Sequence, residues 1–189
     1  MIGEDFAAVL TAAQHGDEAA FGVLWHDGQP ALLRYLRVIA PDVAEDIASE
    51  TWTQVVRGLT RFRGNEQNWR AWLFTTARRR VIDQTRQLMR RPATSLEALP
   101  DLVLTELPGL RSPDAADLAL ENLDTRAAIA VIACLPPLQA EVIMLRVVAG
   151  LDTEMVARLL GRSPGAIRVA AHRGLRRLAG VLTEARVTQ

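Results

Sequence analysis

Apolar side chains recur at three- and four-residue spacing along most of this chain, and no stretch alternates between apolar and polar residues for long enough to form a sheet. A helix with this pattern must bury one face against another helix. The sequence therefore predicts an all-α protein. The hydrophobic fraction of 49% supplies enough apolar surface to offset the entropy of ordering the chain, so we expect it to fold.

Prolines and glycines divide the helical pattern into two halves. The periodicity predicts helices over residues 18–25, 30–40, 43–62, 69–90, 115–135, 139–149, 153–160 and 164–182, with Asp17 as an N-cap. Between the fourth and fifth of these helices, four prolines interrupt the pattern, which is typical of a linker. We therefore expect two small helical domains, residues 1–91 and 118–189, joined by an acidic, proline-containing linker over residues 92–117.

The net charge of zero conceals a strong separation of charge along the chain. Residues 78–91 carry six arginines and one acid, for a charge of +5, and residues 158–177 carry six arginines and no acid, for +6. Between them, residues 95–124 hold seven acids and one arginine, for −6. Blocks of like charge often mark interaction segments, so the two basic blocks predict two surfaces that bind polyanions. Merely solvated helix faces are the alternative.

Composition also limits the chemistry that the chain can carry. The single cysteine, Cys134, excludes an internal disulfide and any zinc site built from several thiolates, and we expect it to be a small buried residue. The longest apolar stretch, residues 127–135, is far too short to span a membrane, and residues 1–5 lack the start of a secretory signal. We therefore expect a cytoplasmic protein without a membrane span, a metal, a cofactor or a catalytic site.

The stretch of residues 152–178 is typical of a helix-turn-helix. Gly161 supplies the turn, and Ser163 followed by Pro164 predicts the N-cap and the first residue of a second helix. The residues expected to face the core from this second helix are Ile167, Ala171, Leu175 and Leu178. In a helix-turn-helix the N-terminal part of the second helix enters the major groove, where side chains meet base edges and phosphates. The candidate DNA-binding residues are Arg162, Ser163, Gly165, Arg168, Val169, His172, Arg173, Arg176 and Arg177. A purely structural helix pair is the alternative.

The segment of residues 43–64 combines a wide apolar face with a polar stripe. Asp46, Glu50 and Gln54 recur at four-residue spacing opposite the apolar residues. Such a stripe predicts a docking surface for another protein, with candidate contacts at Glu45, Asp46, Ser49, Glu50 and Gln54. Paired carboxylates also bind metals or act in acid-base chemistry, but no histidine, cysteine or phosphate-binding loop accompanies these. A plain solvated face is a further alternative.

The segment of residues 61–91 interleaves aromatic rings, amides and arginines. Trp69 and Trp72 lie three residues apart at a predicted helix start. Unpaired bases stack on aromatic rings while their backbone meets positive charge, so the segment predicts a surface for single-stranded nucleic acid. The candidate contacts are Arg61, Arg63, Asn65, Asn68, Trp69, Arg78, Arg79, Arg80 and Arg86. The alternative is that the tryptophans fill the core, which we expect of Trp72 because it adjoins Leu73 and Phe74.

Taken in this order, the three stretches resemble the extracytoplasmic-function sigma factors of the sigma-70 superfamily. Residues 18–91 resemble the family's region 2, and residues 118–182 resemble its region 4. The likeness to region 2.2 lies in VAEDIASETW, that to regions 2.3 and 2.4 in WRAWLFTTARRRVID, and that to region 4 in LPPLQAEVIMLRVVAGLDTEMVARLLGRSPGAIRVAAHRGLRRL.

The resemblance implies a subunit that directs RNA polymerase to promoters. Region 2 would dock on core polymerase through the acidic stripe and bind unpaired bases of the minus-10 element, and region 4 would read the minus-35 element. Core RNA polymerase and promoter DNA are then the expected partners, and the family makes an anti-sigma factor a further one. The chain would not be an enzyme, because the chemistry of RNA synthesis belongs to the core polymerase. The alternative is a stand-alone helix-turn-helix regulator whose N-terminal bundle senses a ligand or dimerises.

Overall fold

The computed structural model describes residues 1–90 and 123–187 of the protein. Within these ranges the chain is helical apart from short turns, so the all-α expectation is confirmed. The helices are α1 (Phe6–Gln14), α2 (Glu18–Ile39), α3 (Ala44–Leu59), α4 (Glu66–Arg90), α5 (Leu123–Ala133), α6 (Pro137–Ile143), α7 (Thr153–Leu160) and α8 (Pro164–Val187). Short 3-10 turns, Gly3–Asp5 and Pro41–Val43, precede α1 and α3, and a π-helical turn, Met144–Val148, continues α6. The expected linker, residues 92–117, lies outside the described residues, as does the expected helix start at residue 115.

Helix α2 is one continuous element where the sequence pattern predicts two. It runs through Pro30, whose missing N–H and ring usually cost about 3 kcal/mol inside a helix. Leu24 and Leu32, on either side of the proline, are fully buried, and this packing outweighs the local cost. Asp17 caps the helix as predicted, because its carboxylate accepts a hydrogen bond of 3.0 Å from the Ala20 N–H.

Helices α1 to α4 form a bundle around an aromatic core. The sequence pattern does not predict α1, yet its Phe6 and Leu10 are buried in this core. The Trp52 indole donates a hydrogen bond of 2.6 Å to the buried Gln29 side chain, which satisfies both polar groups away from water. Gly28 makes room for this ring, since a Cβ there would stand 3.1 Å from its Cη2 atom.

The second half contains the helix-turn-helix that the sequence predicts, formed by α7 and α8. Gly161 ends α7 in the left-handed conformation, with φ of 62°. Asp152 and Ser163 cap α7 and α8 by accepting backbone hydrogen bonds of 2.7 and 3.2 Å. Two expectations are wrong: Leu175 is 53% exposed instead of facing the core, and Cys134 lies at the surface.

The two halves pack directly against each other. Helix α2 contacts α5, α6 and the π-helical turn, and α4 contacts α7. One continuous cluster of buried side chains contains residues of both halves, including Phe74 from the first and Leu145 from the second. Helices α2 and α4 of the N-terminal bundle therefore face the second half. None of the helices in the described ranges is long and apolar enough to cross a membrane.

Candidate nucleic-acid and protein interfaces

The residues expected to bind duplex DNA all lie at the surface of the helix-turn-helix. They are Arg162, Ser163, Gly165, Arg168, Val169, His172, Arg173, Arg176 and Arg177. Ile167 and Ala170 bury the opposite face of α8 against the core, which fixes the side of the helix that remains open. The arrangement presents arginines, a histidine and the N-terminus of a helix on one face, and these groups are suited to base edges and phosphates.

Two of these arginines have partners inside the second half. Arg168 lies 3.7 Å from the Glu154 carboxylate, and both side chains are more than half exposed. Such a pair contributes little to stability, so DNA can displace Glu154 at small cost. Arg177 donates a hydrogen bond of 3.3 Å to the Gln139 side chain.

The polar stripe of α3 faces solvent as the sequence predicts. Glu45, Asp46, Ser49 and Glu50 are exposed, and Gln54 is half-buried. The opposite face is buried, and there the Thr51 hydroxyl donates a hydrogen bond of 2.7 Å to the Ile47 carbonyl. Glu45 pairs with Arg37 at 3.3 Å. Asp46 and Glu50 have no ion-pair partner in the described part of the chain, which leaves both carboxylates available to a basic surface.

Gln54 joins this stripe to the arginine-rich helix. With its amide oriented to satisfy its neighbours, the Gln54 oxygen accepts hydrogen bonds of 2.9 Å from Arg80 Nη2 and 3.2 Å from Arg57 Nη1. The candidate protein-docking stripe and the candidate nucleic-acid surface therefore touch at one side chain. Sequence spacing alone does not show this contact, because it joins two separate helices.

In the loop before α4, two residues predicted to bind nucleic acid make hydrogen bonds within the protein. The Asn65 side chain caps α4 by accepting a hydrogen bond of 2.9 Å from the Asn68 N–H. Arg63 donates from Nη1 to the carbonyls of Thr60 and Phe62, at 2.9 and 2.7 Å. The residues that remain exposed on this surface are Arg61, Arg63, Asn65, Asn68, Arg79 and Arg86, whereas Arg78 and Arg80 are half-buried.

The prediction that the Trp69 ring binds an unpaired base is wrong in this structure. Trp69 is only 1% exposed and contacts the rings of Phe6, Phe62, Trp52 and Trp72. Its ring is a core ring and has no free face for a base. Trp72, which we expected in the core, is partly buried against the core cluster and stacks on Phe62 with a centroid distance of 5.1 Å.

A carboxylate of the second half reaches into the arginine-rich surface of the first. Glu141 accepts hydrogen bonds from Arg78 Nε at 2.8 Å and from the Tyr35 hydroxyl at 3.0 Å. Burial of Tyr35 raises the pKa of its phenol well above the usual value, and the charge of Glu141 raises it further. Sequence patterns do not predict the contact between Tyr35 and Glu141, because the two residues lie 106 positions apart and no local motif links them.

A cleft of about 420 Å³ lies between α4 and α7, beside the contact of Glu141 with Arg78. Both helices contribute basic and apolar side chains to its walls. The lining residues are Asn68, Ala71, Thr75, Arg78, Arg79, Met155, Arg158 and Leu159. Three of the residues expected to bind single-stranded nucleic acid, Asn68, Arg78 and Arg79, therefore face the first helix of the helix-turn-helix.

Two family models together match most of this chain. The model for Sigma-70 region 2 matches residues 24–91, and the model for Sigma-70, region 4 matches residues 125–178. Among curated proteins, the chain is similar to the ECF RNA polymerase sigma factor ShbA of Streptomyces griseus. The two are 35% identical over 178 residues, which cover 90% of this chain and 92% of that protein.

Two solved structures share the fold. One is CnrH in complex with the cytosolic domain of CnrY, with a TM-score of 0.58 and 22% identity over 96% of this chain and 99% of that one. The other is the sigma factor RpoE in complex with the anti-sigma factor NepR, from Bartonella quintana. Its TM-score is 0.57, with 23% identity over 86% of this chain and 96% of that one.

Proposed function

This chain belongs to the ECF RNA polymerase sigma factors, and from that premise we propose that it directs core RNA polymerase to promoters by reading two DNA elements with its two halves. The observation that carries the proposal is the position of two arginine-rich surfaces on one chain, one on the recognition helix α8 and one on α4 beside the acidic stripe of α3. Sigma factors are generally non-enzymatic regulators that bind DNA. We infer that this chain likewise leaves the chemistry of RNA synthesis to the core enzyme.

The second half, residues 118–189, is proposed to bind the minus-35 element as duplex. Its exposed Arg168, Val169 and His172 lie in the first turns of the recognition helix, where a docked helix meets base edges in the major groove. Arg173, Arg176 and Arg177 follow at the surface of the same helix and suit contacts with phosphates.

The first half, residues 1–91, is proposed to bind the minus-10 element as unpaired bases. Asn65 and Asn68 are exposed at the start of α4, and the partly buried Trp72 follows Asn68 by one helical turn. Amides pair with base edges and rings stack on base faces, whereas arginines hold the backbone. Trp72 takes the stacking role that the sequence analysis gave to Trp69, because Trp69 is buried.

The acidic stripe of α3 is proposed to hold the chain on core polymerase. Asp46 and Glu50 are exposed without an ion-pair partner in the described ranges, so they are available to a basic surface of the polymerase. RpoE was solved with an anti-sigma factor, and we propose that a regulator of this kind also binds this chain. A protein that works on RNA polymerase and promoter DNA acts in the cytoplasm, which is where we place it.

Reconstitution with core polymerase tests the proposal. The purified full chain should bind core polymerase, and the complex should start transcripts at a shared promoter motif in a run-off assay on genomic fragments. A stand-alone helix-turn-helix regulator would instead bind specific duplex DNA without polymerase and start no transcripts. That alternative is not favoured, because both sigma-70 regions match this chain. Failure to bind core polymerase would overturn the proposal.

A further inference from the structure

Gln14, the last residue of α1, binds the backbone of the loop that joins α3 to α4 (residues 60–65, the α3–α4 loop). Its Nε2 donates two hydrogen bonds of 2.9 Å, one to the Leu59 carbonyl and one to the Phe62 carbonyl. The last carbonyls of a helix have no partner within that helix, and an amide group carries two hydrogens that can serve two of them. One side chain therefore ties the end of α3 to the middle of the loop.

This contact joins segments that are distant along the chain. Gln14 lies 45 residues before Leu59 and 48 residues before Phe62. The other side-chain hydrogen bonds of the loop within the described residues are local. Arg63 donates to carbonyls one and three residues earlier, and Asn65 accepts from a backbone N–H three residues later. The long-range hydrogen bonds that restrain the loop therefore come from α1.

Helix α1 is fixed at its N-terminal end by contacts with α4. The Glu66 carboxylate accepts hydrogen bonds of 2.8 and 3.0 Å from the backbone N–H groups of Ile2 and Gly3. Phe6 is 4% exposed, and its ring centroid lies 6.4 Å from that of Trp69. A side chain packed in the core to this extent cannot shift without losing its contacts. The amide at the end of α1 therefore reaches the loop from a rigid support.

The α3–α4 loop presents groups that the proposed function assigns to unpaired bases. Arg61, Arg63 and Asn65 are exposed on it, and Asn68 follows at the start of α4. The loop also packs closely on this helix start, since a Cβ atom on Gly64 would stand 2.8 Å from Asn68 Cβ. A flexible loop would lose entropy when a base orders it, which weakens binding, whereas a loop already in its bound shape avoids this loss.

We propose that Gln14 is a positioning residue for the minus-10 element. By binding the two carbonyls it keeps the α3–α4 loop in the shape that receives unpaired bases, and it acts on those bases only through the loop. The match to the region 2 model begins at residue 24, so the proposal adds a helix that lies outside the matched residues. The inference rests on the proposed role of residues 1–91 at the minus-10 element.

Gln14→Met removes the two hydrogen bonds without a change of charge, because methionine has a side chain of similar length and no hydrogen to donate. Holoenzyme reconstituted with this variant should bind a pre-melted promoter bubble about tenfold more weakly, since only a fraction of the molecules then hold the loop in its binding shape. Affinity for core polymerase and for the duplex minus-35 element should stay the same. Thr11→Ala is the matched control, because it removes a side-chain hydrogen bond of 2.8 Å to the Ala7 carbonyl from the same helix and leaves the loop untouched.

A double-mutant cycle separates positioning from a general loss of structure. Asn65→Ser removes an amide from the loop and keeps an oxygen that caps α4. If Gln14 acts through the loop, Gln14→Met should weaken bubble binding less in the Asn65→Ser background than in the wild type, because part of what it positions is already gone. Additive losses per folded molecule would overturn the proposal, and so would an equal loss in Thr11→Ala.

The same measurements test the proposed function separately. Normal bubble binding by Gln14→Met, together with weaker binding by Asn65→Ser and Asn68→Ala, would overturn the positioning role and leave the minus-10 surface in place. Normal bubble binding by Asn65→Ser and Asn68→Ala would instead overturn the proposed role of this loop at the minus-10 element.

Discussion

Gly174 of the recognition helix lies directly against Ile143 of α6. A Cβ atom on Gly174 would stand 2.6 Å from Ile143 Cδ1 and 3.4 Å from Gln139 Cβ. Glycine inside a helix costs about 1 kcal/mol relative to alanine, so the close approach of the two helices outweighs a local preference. The absence of a side chain at position 174 therefore allows the recognition helix to pack closely on α6.

We expect Gly174→Ala to destabilise region 4. The added methyl group must push Ile143 aside, and overpacking of this kind costs about 1 to 3 kcal/mol, which exceeds the gain in helix propensity. Gly180→Ala in the same helix is the control, because a Cβ there would meet no atom within 4 Å beyond its chain neighbours and the backbone of its own helix. Thermal unfolding should show a lower midpoint for Gly174→Ala and an equal or higher one for Gly180→Ala. Equal midpoints for the two variants would show that Ile143 moves freely.

The helix-turn-helix was predictable because its determinants are local. The Ser163 cap and the turn at Gly161 each act on residues within a few positions, and both appear in the structure as the sequence predicts. The stripe of α3 was predictable for the same reason, since one helical period places its polar residues on one face.

The features that the sequence does not predict depend on contacts between segments that are distant along the chain. Trp72 has the more apolar neighbours in sequence, yet Trp69 is the more deeply buried ring, because Phe6 of α1 and Trp52 of α3 pack against it. Likewise, periodicity gives no reason for Glu141 to face Arg78, 63 residues earlier. The helical spacing of Leu175 predicts a core position, yet in the described residues no other element covers that part of α8.

Charge reversal on the acidic stripe should weaken assembly with core polymerase. Asp46→Arg combined with Glu50→Arg replaces two exposed carboxylates by cations, and like charges across an interface weaken binding by roughly tenfold or more. The bundle should stay folded, because neither side chain is buried. Competition for core polymerase against the wild-type chain measures the effect, with Glu18→Arg on α2 as the control. Unchanged affinity of the double variant for core polymerase would show that the stripe is not part of the polymerase interface.

Arg168 and Arg176 should have different roles on duplex DNA. Arg168→Ala should change sequence preference and cost about 1 to 3 kcal/mol on the best site, because it removes a base contact in the groove. Arg176→Ala should weaken all sites to a similar extent and lower the dependence of binding on salt, as expected for a phosphate contact. Sequence selection with each variant holoenzyme at two salt concentrations separates these effects. Identical preference profiles would contradict the division of roles.

Ionisation of Tyr35 should destabilise the fold at alkaline pH. Burial and the Glu141 charge raise the phenol pKa in the folded state, whereas the unfolded chain ionises near 10. Below that pH the folded and unfolded states both keep the proton, so Tyr35 contributes a constant amount to the free energy of unfolding. Above it the unfolded state loses the proton first, so stability falls. The chain has one tyrosine, so tyrosinate absorbance reports this group alone. Native and denatured chains should titrate at different pH, and Tyr35→Phe should reduce the alkaline loss of stability.

Asn68 should matter for opening the minus-10 element, whereas Trp69 should matter only for folding. Asn68 is exposed at the start of α4, so Asn68→Ala should reduce open-complex formation while the thermal unfolding midpoint stays close to that of the wild type. Asn65 needs a different substitution, because its side chain caps α4 and alanine would cost about 1 kcal/mol of helix stability. Asn65→Ser keeps a capping oxygen and removes the amide.

Permanganate reactivity of promoter thymines measures opening by each variant holoenzyme, with a pre-melted promoter bubble run beside the duplex. Asn68→Ala and Asn65→Ser should lose reactivity on the duplex and affinity for the bubble, because the amides bind unpaired bases. Trp72→Ala should behave in the same way, with a loss of about 1 to 3 kcal/mol for one stacked base. Trp69→Phe should lower the unfolding midpoint and leave bubble affinity per folded molecule unchanged, since its ring contacts other rings and not solvent. Normal promoter opening by the Asn68 and Trp72 variants would show that the minus-10 surface lies elsewhere on α4.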